Sequence, residues 1–116
     1  MNLQQLEYIV ALDAHRHFST AAEKCFVTQP TLSMMIQKLE DELNVKIFDR
    51  SKQPVVPTEV GKAIIEQARQ ILNETLRMQE IVSAVARQIQ ISIHGDAVQS
   101  VLFVRSKRDT LSTGAG

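Results

Sequence analysis

The 116-residue sequence predicts a mostly α-helical chain: a winged helix-turn-helix, with a three-helix core and a small β wing, followed by a long dimerisation helix. Three observations predict it. A short helical segment with adjacent alanines, Ala21-Ala22, is followed by a turn and by a second segment opening on Thr28-Gln29-Pro30-Thr31, the spacing of a helix-turn-helix. Between Lys46 and Pro57 the pattern changes to two short apolar stretches around Ser51-Lys52-Gln53, as in a hairpin. After Thr58 an apolar heptad runs for three repeats with no proline.

Asn2 is a good N-cap for a helix over residues 3–15, and Gln5 completes a capping box. Leu3, Leu6, Val10 and Ala14 give its apolar stripe, widened by Ile9, and His15-Arg16-His17 forms a polar break. The second helix is expected from Thr20 to Cys25, capped by Thr20 with Glu23, or alternatively by Ser19. Ala21 and Ala22 allow close crossing, and Phe26 with Val27 is expected to bury the turn. Thr28 caps the third helix, with Pro30 in a first turn where its missing N–H costs nothing. Leu32, Ile36, Leu39 and Leu43 form the expected buried stripe, and Asn44 ends the helix in a left-handed conformation. Pro54 and Pro57 restrict the hairpin to a short, edge-like ribbon.

Thr58 caps the long helix, expected from Glu59 to Arg87 and about 43 Å long at ~1.5 Å per residue. Its seam comprises Ile64, Ala68, Ile71, Thr75, Met78, Val82 and Val85, and its length argues for a partner chain rather than local packing. Ile89 to Ile93 alternates like a strand, His94-Gly95-Asp96 reads as a turn, Val98 to Val104 as a second strand, and Arg105 to Gly116 as a disordered tail. The expected organisation is therefore 1–58 for the winged helix-turn-helix, 59–88 for the dimerisation helix and 89–116 for a strand-like remnant and tail.

Formal net charge is zero, with 13 basic and 13 acidic residues, so non-specific attraction to phosphate is weak. Placement matters more than the sum: Lys38, Arg50 and Lys52 lie near the expected DNA-facing surface, and Glu40-Asp41-Glu42 is expected to be a solvated helix run. No apolar run approaches the roughly 20 residues of a bilayer span, and the N-terminus lacks the pattern of a signal peptide. A cytoplasmic location with no membrane partner is expected. The single Cys25 fits a reducing compartment and forbids an intrachain disulfide.

Residues 1–87 resemble the N-terminal DNA-binding domain of LysR-type transcriptional regulators. The resemblance is carried by Leu6, Phe18, Ala21-Ala22, Val27, Thr28-Gln29-Pro30-Thr31-Leu32-Ser33, Ile36, Leu39-Glu40, Leu43, Phe48, Arg50, Thr58 and Gly61. Within the family, Leu6 to Leu12, His15 to Phe18 and Cys25 resemble the peroxide-sensing OxyR subgroup. The resemblance implies a transcription regulator that dimerises through the long helix and binds interrupted inverted repeats in double-stranded DNA. It also implies a C-terminal effector domain, of which only Ile89 to Ile93 resembles a first strand. A fragment, a frameshifted product or a truncated gene would account for that. Met34 and Met35 stand where the family usually has polar or basic residues, and Asn44 replaces its usual glycine.

Gln29, Pro30, Thr31 and Ser33 are the candidates for base edges, with Gln37 a further candidate DNA contact: Gln bonds bidentately to adenine, and Pro30 or Thr31 can touch a thymine methyl. Thr28 and Pro30 are equally explained by capping. Lys38, Arg50 and Lys52 are the candidate phosphate contacts, joined by Ser19 and Thr20 at a helix start. Cys25 with His15 and His17 makes no metal or catalytic set, because histidines two apart do not share a helix face and no second thiol exists. No cofactor and no enzymatic activity are expected. Two alternatives remain beside the DNA-binding homodimer: a truncated regulator acting as a heterodimerising module, and redox catalysis by an accessible Cys25.

Overall fold

Asn2 starts the fold as the sequence requires. In the computed structural model, which describes residues 1–92, its side chain accepts from the Gln5 amide while the Gln5 side chain accepts from the Asn2 amide, closing the capping box of α1 (Leu3–His15). The described residues divide into two units, the first Met1–Glu74 and the second beginning at Thr75.

In the first unit α1 ends at Arg16, which takes a left-handed conformation and donates from Nε to the Asp13 carbonyl at 2.6 Å. Only Arg16 and His17 separate α1 from α2 (Phe18–Lys24). That short link moves the helix start two residues ahead of expectation. His17 is the extended N-cap and contributes no side-chain bond, so neither the Thr20–Glu23 capping box nor a Ser19 cap forms. Ala21 and Ala22 are fully buried, as close helix crossing demands. The turn that follows corrects a second expectation. Phe26 adopts a left-handed conformation (φ 58°) and is 70% exposed, leaving Val27, half-buried, to pack on the core.

Helix α3 (Gln29–Leu43) begins at Thr28, whose Oγ1 accepts from the Thr31 amide, and ends at left-handed Asn44. Leu32, Ile36 and Leu39 are fully buried, each contributing about 1.5–3 kcal/mol. Leu43 does not continue the stripe; it is 37% exposed. The buried position at that end belongs instead to Glu40, 2% exposed, which therefore is not part of a solvated run. The chain turning into the wing explains this. Glu40 Oε2 accepts from the Ile47 amide at 2.8 Å and the Phe48 amide at 3.3 Å, satisfying two donors that precede and begin β1 (Phe48–Asp49).

The wing is the short ribbon expected, with two residues in each strand. β1 pairs antiparallel with β2 (Val56–Pro57), Phe48 opposite Pro57 and Asp49 opposite Val56. Ile47, Phe48 and Val55 are buried, and the Val55 amide donates to the Arg16 carbonyl, fastening the wing to the end of α1.

Thr58 opens α4 (Glu59–Ser92): its Oγ1 accepts from the Gly61 amide and donates to the Lys46 carbonyl. Gly61 lies so close to β1 that a Cβ there would overlap the Ile47 carbonyl. Within the first unit, Ile65 and Ala68 are buried in the core, and Ile64, Ile71 and Leu72 pack against it. Ala68, expected in the seam, is thus buried within its own unit. Arg69 reaches Asp13 at 2.7 Å, tying α4 to α1.

In the second unit the helix continues to Ser92, so residues 89–92 are helical rather than a strand. Alternation over five residues is too short a signal to stop a helix already propagating. Ile93, the expected turn at His94–Asp96, the second strand and the tail lie outside the described residues. Leu76, Met78, Ile81, Val82 and Val85 are exposed.

Replacing Glu40 by alanine strands the Ile47 and Phe48 amides in the core. Glu40→Ala is expected to lower stability by about 3 kcal/mol in urea denaturation, and Glu40→Gln, which retains an acceptor, by about half as much. A loss below about 1 kcal/mol for Glu40→Ala would mean that the wing does not depend on this carboxylate.

Candidate nucleic-acid interface

The first turn of α3 opens on exposed residues. Gln29 and Pro30 are exposed and Thr31 is half-buried, while Leu32 in the same turn is fully buried. The buried stripe fixes the roll of the helix, and Gln29, Ser33 and Gln37, spaced four apart, fall along one side of it. Thr28 and Thr31 are partly committed to the helix itself: the Thr28 hydroxyl donates to Thr31 Oγ1 at 2.8 Å and accepts from the Thr31 amide.

Arg50 follows β1 and bridges three elements. Its Nη1 donates to Ser33 Oγ at 3.2 Å and its Nη2 to Glu40 Oε1 at 3.2 Å, both on α3. Its guanidinium carbon stands 5.1 Å from the centre of the Phe18 ring on α2, a cation–π distance. Arg50 is therefore held rather than swinging freely, yet its side chain remains about one-third exposed. Beside it an open cleft of about 490 Å³ is lined by Gln37, Lys46, Phe48, Asp49, Arg50 and Thr58.

Lys38 and Lys52 are exposed. Asp49 accepts from the Ser51 hydroxyl at 2.6 Å and amide at 3.0 Å; these bonds, with a smaller contribution from Lys52, hold its carboxyl below the ordinary range. Ser19 is exposed and Thr20 half-buried in the first turn of α2, where their position, not a capping bond, sets their orientation.

The structure thus brings together Ser33 and Arg50, which the sequence placed in different roles, and adds Glu40 and Phe18. The spacing carried a signal for Glu40: it lies four residues beyond Ile36, on the buried face. Nothing local marks Phe18 as the ring beneath an arginine 32 positions on.

Cys25 closes α2 and is half-buried. Burial, then the negative charge of Glu7, raises its thiol above the ordinary value. Among the described residues no three His, Cys, Asp or Glu side chains form a metal-binding group, and no helix is long and apolar enough to cross a membrane.

Three core helices, an exposed helix start and a two-stranded wing define a winged helix-turn-helix protein. Residues 3–62 match the family described as bacterial regulatory helix-turn-helix protein, lysR family, and the chain belongs to that family. It is 43% identical over 101 residues to a hydrogen peroxide-inducible genes activator of Pectobacterium carotovorum subsp. carotovorum, covering 87% of this chain and 33% of that one. It is 42% identical over 101 residues, with the same coverage, to the DNA-binding transcriptional dual regulator OxyR of Escherichia coli (strain K12). The chain spans about a third of the length of these curated relatives. Among solved structures, full-length OxyR from Pseudomonas aeruginosa is 49% identical with a TM-score of 0.69, over 72% of this chain and 28% of that one. The BenM DNA-binding domain in complex with catB site 1 DNA is 33% identical with a TM-score of 0.73, over 76% of this chain and 95% of that one.

The raised thiol has a direct consequence. Cys25 is expected to react with iodoacetamide more slowly in the folded protein than in urea at the same pH, with the folded rate rising as pH increases above 8. Equal rates in the two states, followed by mass spectrometry, would show an accessible, unperturbed thiol.

Proposed function

We propose that this chain is a sequence-specific DNA-binding module of a transcription regulator, acting as a homodimer on an interrupted inverted repeat. The observation that carries the proposal is the exposed first turn of α3, presenting Gln29 at a helix start whose roll is fixed by Leu32, Ile36 and Leu39. A helix so seated enters the major groove with its N-terminal residues toward base edges. The DNA complex of the similar BenM domain supports that docking mode. Gln29 bonds to adenine, with Pro30, Thr31 and Gln37 completing the base-facing side, while Thr28 caps the helix. Arg50, Lys38 and Lys52 contact phosphates, joined by Ser19 and Thr20 at the start of α2.

The exposed residues Met78, Val82 and Val85 continue the heptad and pair two copies, with Leu76 and Ile81 beside them. Ile64 and Ile71 serve the core first. Two coupled half-site contacts offset a net charge of zero.

Binding measured by fluorescence anisotropy, against a duplex selected from random sequence and a panel of its single-base variants, tests the assignment. Gln29→Ala is expected to cost ~1–3 kcal/mol and to relax preference at one position per half-site. Arg50→Ala is expected to weaken every duplex about equally and flatten the salt dependence; a loss confined to one base pair would contradict the phosphate role. Val82→Asp is expected to convert the dimer to monomer in sedimentation, and a dimer that survives it would place the contact elsewhere.

A further inference from the structure

The Ser33–Arg50 contact carries a consequence for how the DNA-facing surface is divided. A residue on α3 one turn beyond Gln29 is in the position expected of a base reader. Yet the Ser33 hydroxyl, on a half-buried residue, is engaged in an exposed contact, accepting from Arg50 Nη1 at 3.2 Å. The same guanidinium is fixed on its other arm by Glu40 at 3.2 Å, and its carbon stands over the Phe18 ring, 5.1 Å from the ring centre. Glu40 is itself buried and held by two backbone amides, so it provides a rigid anchor. An arginine has five N–H donors in a planar fork; two are used here, and the others remain available on a side chain about one-third exposed.

We propose that Ser33 is a positioning residue for Arg50: with Glu40, its hydroxyl holds the guanidinium at the junction of α3 and the wing so that the unused N–H groups meet a DNA phosphate. Ser33 does not read a base. The proposal rests on the DNA-binding function above and assigns Ser33 to the backbone-gripping part of that surface. It also makes the seating of α3 and the grip of the wing interdependent, because one side chain joins them.

The test uses the full chain, the selected duplex and its single-base panel, with Ser33→Ala, Ser33→Thr, Arg50→Ala and the double variant Ser33→Ala/Arg50→Ala. Ser33→Ala is expected to weaken binding about three- to tenfold on every duplex, leaving base preferences unchanged and making the salt dependence shallower. Ser33→Thr, which keeps the hydroxyl, is expected to bind within about twofold of the unsubstituted chain. Ser33→Ala is expected to add no further loss once Arg50 is alanine. A loss concentrated at one base pair, a loss additive with Arg50→Ala, or no loss at all would each overturn the proposal while leaving DNA binding intact. If the unsubstituted chain binds no duplex, the DNA-binding function fails first and this assignment falls with it.

Discussion

The Glu40 carboxylate is the point at which the helical core, the wing and the proposed DNA-facing surface meet. One oxygen satisfies the Ile47 and Phe48 amides; the other receives Arg50. A buried ion is costly unless its hydrogen-bonding capacity is met, and here three donors from the wing segment converge on it. The wing has only two residues in each strand, too few for its ladder to be stable alone. Its position is set from outside, by Glu40 on one side and by the Val55–Arg16 backbone bond on the other.

Helix α4 does two kinds of work along its length. Between Glu59 and Glu74 its inward residues complete the core, and Arg69 pairs with Asp13. From Leu76 to Val85 its large apolar residues are exposed. A heptad read from sequence cannot tell these apart, because a core face and a helix-pairing face both need apolar residues every three or four positions. Ala68 and Val82 hold equivalent places in the repeat, yet the first is buried within its own unit and the second is open.

Much of the fold was legible because the signals were local. The Asn2–Gln5 capping box, the Thr28 cap, the left-handed Asn44 and the Thr58 start each depend on residues within a single turn. The start of α2 is not legible in its own caps, because its boundary follows closely on the end of α1. Phe26 departs from the inward place its aromatic side chain suggests, because the turn puts its backbone in the left-handed region and leaves it exposed. The candidate interface was legible as a set of residues but not as an arrangement. Ser33, Glu40 and Arg50 span 17 positions, and their mutual contacts are set only when the wing folds back on α3.

Gly61 gives the assembly a mechanical property. With no side chain there, the first turn of α4 rests directly against the Ile47 carbonyl, and the Thr58 hydroxyl joins the same strand entry to the helix start. No compressible layer separates the helix from the base of the wing. Tilting that first turn would therefore drag the base of the wing with it, as a lever moves with its fulcrum pin.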